Sequence, residues 1–238
     1  MGAIHPLQLG VATSFLVVGE AGRCVLVDAG EPGKGRAFEK GMARLGIDPR
    51  RIELLVITHG HWDHVGSARA IHERTGAPVA MHVLDRHSLE LGRPGPPPPG
   101  ITSWGKLLSR LLGPLTRFVS FPAMGVQIPL GLDELDLRPY GVAGRVIHTP
   151  GHSPGSVSVV LETGEALVGD MAMNGPPMRI GPGLPSVAEV PAQLVPSWRK
   201  LLALDIRTVY PAHGHPFPAE VMRRCVGSKV ELSGRKKA

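Results

Sequence analysis

Three histidines and an aspartate fall within six positions of one another in the segment Thr58-His59-Gly60-His61-Trp62-Asp63-His64. Neutral imidazole nitrogens and a carboxylate are the donors that a borderline divalent cation selects. The segment follows an apolar run and precedes a helical pattern, and a loop at a strand end is where α/β proteins place ligands. Three further ligand-type residues recur in similar settings. His152 lies in Thr149-Pro150-Gly151-His152-Ser153-Pro154-Gly155, Asp170 ends a short apolar run, and His213 lies in Pro211-Ala212-His213-Gly214. Each alone reads more readily as a solvated turn histidine or an Asp making an Asx turn than as a ligand. Together His59, His61, Asp63, His64, His152, Asp170 and His213 predict one shared site for two metal ions. Of the other histidines, His5 and His72 read as surface residues, and His82 and His87 flank a short segment. His148 belongs to a strand pattern. His215 competes with His213 for the ligand role.

These residues need a scaffold that brings distant loops to one edge. Short apolar runs bounded by Gly, Pro and Asp predict strands at 15–18, 24–27, 54–57, 79–81, 145–147, 157–161, 166–168 and 208–210. Helical spacing of apolar residues predicts helices at 35–45, 65–74, 188–204 and 219–226. Strands mixed with helices indicate an α/β arrangement. The segment 92–100, GRPGPPPPG, cannot be helix or inner strand. After it, Trp104, Leu107, Leu108, Leu111, Leu112, Leu115 and Phe118 form an apolar stripe at helical spacing. The stripe fits a core-facing helix or a lid hinged on the proline segment, an insertion spanning about 92–120. A second breaker-rich loop, 174–185, follows Asp170.

Composition narrows the class. The 238 residues, 42% hydrophobic and 19% charged, are those of an ordered globular chain, read as one domain over 1–238. The net charge of +6 admits a nucleic-acid partner, but the clearest basic cluster is the tail at 229–238. With three Trp, two Tyr and five Phe, a stacking platform for single strands is poorly supplied, so nucleic acid is not the expected partner. Neither of the two cysteines forms a C-x-x-C pair, which argues against cysteine ligands. No apolar run approaches the ~20 residues needed to span a bilayer, and no leader pattern opens the chain. The expected setting is the cytoplasm, with no membrane partner.

The Asp28-Ala29-Gly30 turn, the His59–His64 loop, the His152 loop, the Asp170 strand end and the His213 loop occur in the order found in the metallo-β-lactamase superfamily, which the sequence resembles over nearly its whole length. The resemblance implies an αβ/βα four-layer sandwich, two mixed sheets flanked by helices, with the site at one edge. It implies that His59, His61 and His152 hold one ion, that Asp63, His64 and His213 hold the other, and that Asp170 bridges them. Asp28 would orient the loop. Pro-x-His-Gly is the form relatives use, which favours His213 over His215.

Departures from relatives point to the chemistry. Position 61 is His where flavin-linked di-iron oxidoreductases of the superfamily carry Glu, so a hydrolase is expected. Asp63 differs from the zinc β-lactamases proper. Quorum-signal lactonases usually place a Tyr shortly after the bridging Asp, whereas Met171-Ala172-Met173-Asn174 follows here. The resemblance therefore implies a dinuclear hydrolase, with zinc the default and iron or manganese compatible. A hydroxide shared by the ions would attack an ester, thioester or lactone, with Asp63 as the catalytic proton acceptor. Two divalent cations outweigh Asp63, Asp170 and a hydroxide, so an anionic substrate is expected. Met171, Met173 and Met178 hint at an apolar acyl group. Three alternatives stay open: a phosphodiesterase or RNA-processing nuclease, a mononuclear iron persulfide dioxygenase, and a non-catalytic small-molecule sensor.

Overall fold

A computed structural model of the chain describes residues 3–227; the basic tail at 229–238 lies outside the described residues. The first half runs β1 (Ala3–Gln8), β2 (Thr13–Val18), β3 (Cys24–Val27), α1 (Gly35–Leu45), β4 (Ile52–Val56), the single turn α2 (Trp62–Val65), α3 (Ala68–Thr75), β5 (Val79–His82), α4 (Arg86–Leu91), α5 (Ser103–Thr116) and β6 (Ile128–Leu130). The second runs β7 (Leu135–Asp136), β8 (Gly144–His148), β9 (Val157–Leu161), β10 (Glu165–Gly169), α6 (Leu194–Leu202), β11 (Thr208–Pro211), β12 (Phe217–Pro218) and α7 (Glu220–Gly227). The strands form two six-stranded sheets, β1-β2-β3-β4-β5-β6 and β12-β11-β10-β9-β8-β7. Each mixes parallel and antiparallel pairs.

Side-chain alternation builds the layers. Within the first sheet Val17, Val25, Val27, Leu54 and Val56 point inward, where Val146, Val157, Val159 and Leu167 of the second sheet meet them. The intervening Leu16, Leu26 and Leu55 face outward onto Phe38 and Met42 of α1 and Ile71 of α3. On the far side Ile147, Val160, Ala166 and Val209 pack against Trp198 and Leu201 of α6 and Met222 of α7. Three apolar clusters thus separate helix, sheet, sheet and helix layers, the αβ/βα sandwich. The inner strands of the two sheets, β2 to β5 and β8 to β11, each read as an apolar run.

The 65–74 helix is interrupted, with α2 and α3 separated at Gly66-Ser67. The 188–204 pattern contracts to α6, because Pro191 opens a separate short turn. The α5 stripe is not core-facing: Trp104, Leu107, Leu111, Leu115 and Phe118 are exposed, and Leu108 is buried. Thr102 caps the helix through Gly105 N. Trp104 Nε1 donates to Pro177 O at 2.6 Å and Ser109 Oγ to Pro98 O at 2.9 Å, tying α5 to both breaker-rich loops. No helix among the described residues is long and apolar enough to cross a membrane.

Candidate metal centre

The strands β3, β4, β8, β10 and β11 end at one edge of the sandwich. Their following loops carry Asp28, the His59–His64 segment, His152, Asp170 and His213. The two sheets meet there directly: Val157 N donates to Thr58 O at 2.8 Å, and Thr13 N to Ala212 O at 2.8 Å. Gly169 allows this approach. Its φ of 52° is left-handed, and a Cβ there would lie 2.5 Å from Thr58 Oγ1. His61 is the residue before α2, and that one turn presents Asp63 and His64 inward.

All seven sequence-predicted residues converge. His61 Nδ1 lies 3.0 Å from His59 Nε2 and 2.9 Å from His152 Nε2. Asp63 Oδ2 lies 3.3 Å from His213 Nε2 and 3.9 Å from His64 Nε2. Between the two groups sits Asp170. Its Oδ1 is 3.4 Å from His64 Nε2, and its Oδ2 is 3.3 Å from His213 Nε2 and 3.5 Å from His152 Nε2. Two trios, His59/His61/His152 and Asp63/His64/His213, each bring their donor atoms within 4.8 Å of one another, as does His59/His64/Asp170. The donor chemistry fits divalent cations. His64 Nε2 and Asp170 Oδ1 are buried with no hydrogen-bond partner, a cost that native structures accept only where something else satisfies the atom.

The outer nitrogens are fixed by neighbours, which orients the rings. His64 Nδ1 lies 2.8 Å from Asp28 Oδ2, His152 Nδ1 lies 3.0 Å from Val187 O, and His59 Nδ1 lies 3.1 Å from Thr58 Oγ1. Asp28 also accepts from Thr58 N and Oγ1 at 2.8 and 2.9 Å, and holds a left-handed φ of 65°. It is therefore an orienting residue and not merely a turn former.

Electrostatics divides the cluster. Burial, with His64, His61 and His152 nearby, holds the His59 imidazole far below its usual range, and burial pushes His152 down to about 4. Burial also opposes charge on His64 and His213, but carboxylates overcome it. Asp28, Asp170 and Asp63 hold His64 well above its usual range, and Asp170 and Asp63 lift His213 to about 10. Burial would raise the two aspartates. The charge on His64 and the hydrogen bond from His213 instead bring Asp63 to about 2, and His213 and His64 hold Asp170 well below the carboxylate range.

Two residues that the sequence did not single out complete the site. Asp85, buried after β5, accepts from Gly60 N at 3.1 Å, Ser153 Oγ at 2.5 Å and Gly155 N at 2.8 Å, linking the two histidine loops. A Cβ at Gly155 would lie 2.6 Å from Asp85 Cγ, so only glycine admits the carboxylate there. Glu189 Oε1 lies 3.3 Å from His61 Nε2 at the mouth. Neither has a local motif; only the tertiary fold reveals them. His215 is exposed and belongs to none of these groups, with its carbonyl accepting from Asn174 Nδ2. His82 and His148 stack on each other, with ring centroids 4.1 Å apart, outside the cluster.

A four-layer αβ/βα sandwich with a His/Asp cluster at its edge defines a class of metal-dependent hydrolases. The sequence model of the metallo-β-lactamase superfamily matches residues 7–213, and the chain belongs to that superfamily. It is 27% identical to the probable metallo-hydrolase YflN of Bacillus subtilis, over 98% of this chain and 90% of that one. It is 30% identical to the uncharacterized protein ML0493 of Mycobacterium leprae, over 84% of each. Among solved structures, the B3 metallo-β-lactamase BLEG-1 superposes with a TM-score of 0.69 at 24% identity, covering 98% of this chain and 100% of that one. The di-iron-bound form of TTHA1623 superposes with a TM-score of 0.64 at 26% identity, covering 92% and 97%.

Proposed function

We propose that the chain hydrolyses a small acyl substrate, an ester, thioester or lactone, at a centre of two divalent ions, zinc by default with iron or manganese compatible. His59, His61 and His152 would hold one ion, Asp63, His64 and His213 the other, with Asp170 shared. The di-iron-bound form of the similar structure TTHA1623 supports a pair of ions here. Ions bound there supply an acidified water and polarisation of a carbonyl oxygen.

The protein's own groups do the rest. Asp63, whose carboxyl is ionised near neutrality, is the group that takes the proton of the attacking water. His152 Nδ1 against Val187 O and His64 Nδ1 against Asp28 Oδ2 fix each ring so that Nε2 is the nitrogen presented inward for ligation. Burial of His59, His64, His152 and Asp170 keeps bulk water from the inner side of the cluster.

The observation that carries acyl over phosphoryl chemistry is Glu189. Its carboxylate stands beside His61 at a mouth of about 130 Å³ lined also by Gly60, Leu84 and Ser153. A phosphodiester would bring its negative charge past that carboxylate, whereas a neutral acyl carbonyl would not. The test is a panel of acyl thioester, lactone and bis-aryl phosphodiester substrates with the metal-replete protein, alongside metal analysis. Turnover of acyl substrates with about two ions per chain is expected. Turnover of the phosphodiester alone makes the protein a phosphodiesterase. One iron per chain with oxygen uptake on a persulfide makes it a dioxygenase.

A further inference from the structure

The cavity at the mouth of the metal centre adjoins a larger one. His87, Ser88, Gly95 and Pro96 line both, and the second cavity, about 790 Å³, lies between α4, the 92–100 segment and α5. Its lining includes Arg93 from the proline segment and Arg110 and Arg117 from α5 and its end. No Asp or Glu lines it. Among the described residues none of these three guanidiniums has a carboxylate partner, and Arg117 rests 4.8 Å over the Phe118 ring with its N–H groups open. The arginines of neighbouring α3 and α4 differ: Arg69, Arg74 and Arg86 are each engaged by a glutamate.

Three unneutralised guanidiniums round one concavity repel one another, and a multiply charged anion relieves that repulsion. The planar fork of arginine matches phosphate oxygens two at a time. Leu91 and rigid prolines give the wall an apolar portion for an uncharged linker, beside the uncharged hydroxyls of Ser88, Ser109 and Thr116. The volume suits a nucleotide-sized group. A nucleic-acid strand would need the positive track to continue past the metals, where Glu189 stands instead.

We infer that this cavity is a subsite for the phosphorylated leaving group of an acyl thioester, of the coenzyme A type, whose carbonyl lies at the metal centre. The inference rests on the acyl-hydrolase reading above. The reaction it implies is hydrolysis: water oxygen bonds to the acyl carbon, the C–S bond breaks, and the products are a carboxylate, the free phosphorylated thiol and one proton.

The test compares octanoyl-coenzyme A with octanoyl-N-acetylcysteamine, which lacks phosphate, on the holoprotein and on the R93A/R110A/R117A variant. Binding of adenosine 3′,5′-bisphosphate is measured by calorimetry on both proteins. All three side chains are exposed, so the fold is expected to persist, and circular dichroism with Arg110→Glu as a single variant checks that. The expected result is a KM for the coenzyme A ester that is at least tenfold below that of the truncated ester. That advantage should be lost in the triple variant and at raised salt, while turnover of the truncated ester is unchanged. Equal effects on both esters, or none on either, overturn the subsite. If neither ester is turned over, the acyl-hydrolase reading fails, and calorimetry then decides the subsite alone: arginine-dependent binding of the bisphosphate supports a phosphate site, and no binding overturns it. Arginine-dependent binding of an oligoribonucleotide, but not of the bisphosphate, also overturns it.

Discussion

His64 Nδ1 and Asp28 Oδ2 lie 2.8 Å apart with both side chains buried, so the carboxylate of one strand end fixes the ring that a loop 36 residues later offers to the metal centre. Asp28→Asn keeps a side chain that tolerates the left-handed backbone but removes the charge. Metal affinity or activity should fall about 10–100-fold with the fold intact. Metal competition with a chromophoric chelator measures this, and an unchanged affinity would show that Thr58 alone orients the loop.

Asp63→Asn should lower kcat by at least ~100-fold with circular dichroism unchanged. The substitution strikes the proposed proton acceptor and a donor atom 3.3 Å from His213 together. Full turnover in this variant removes Asp63 from the chemistry.

His213→Ala should empty or loosen the position shared with Asp63 and His64, whereas His215→Ala should change little, because His215 is exposed and engaged through its backbone. Metal content of the two purified variants is the comparison. A greater loss from His215→Ala would reverse the assignment.

The two trios should take up metal with different proton counts. His59 and His152 have pKa values pushed below the usual range, so both are unprotonated near pH 7. His64 and His213 are raised, His213 to about 10, so a cation must displace their protons. Filling the Asp63/His64/His213 position should therefore release about two protons near pH 7 and weaken as pH falls from about 10, while His59 and His152 should release almost none. In chelated protein the signs also differ. Charged His213 stabilises below its ordinary pKa, and that contribution is lost as pH rises through about 10. Neutral His152 stabilises above its ordinary pKa, and that contribution is lost as pH falls through about 4. Indicator-dye titration during stepwise metal addition reads the proton count, and equal release at both steps would contradict it.

Asp85→Ala leaves Gly60 N, Ser153 Oγ and Gly155 N without their shared acceptor. The cost should be at least about 2 kcal/mol of stability, with a weakened His59/His61/His152 position. Urea denaturation of the chelated protein separates the two effects. An unchanged midpoint would mean that water replaces the carboxylate at no cost.

The sequence shows the buried interior of this fold and misses its margins for one reason. The eight strands it reveals lie inside the sheets, apolar enough to stand out. The four it conceals, β1, β6, β7 and β12, are the outermost strands of the two sheets. Three of them carry proline, Pro6, Pro129 and Pro218, and two are only two residues long, which suits an edge and erases the pattern. The seven residues that converge were legible because each of their loops carries its own dense or Gly/Pro-flanked motif. Asp85 and Glu189 were not, since their roles arise from contacts with loops remote in sequence.

Each trio takes two side chains from the loop after β4 and its third from beyond the sheet-to-sheet crossing, His152 in one case and His213 in the other. A cation seated there is a rivet through both halves of the molecule. A cation held by either trio would tie the loop after β4 to a loop of the second sheet, so its exchange should be slow relative to that of a site built on one loop. Metal loading should likewise raise the melting temperature by adding a link between chain segments remote in sequence.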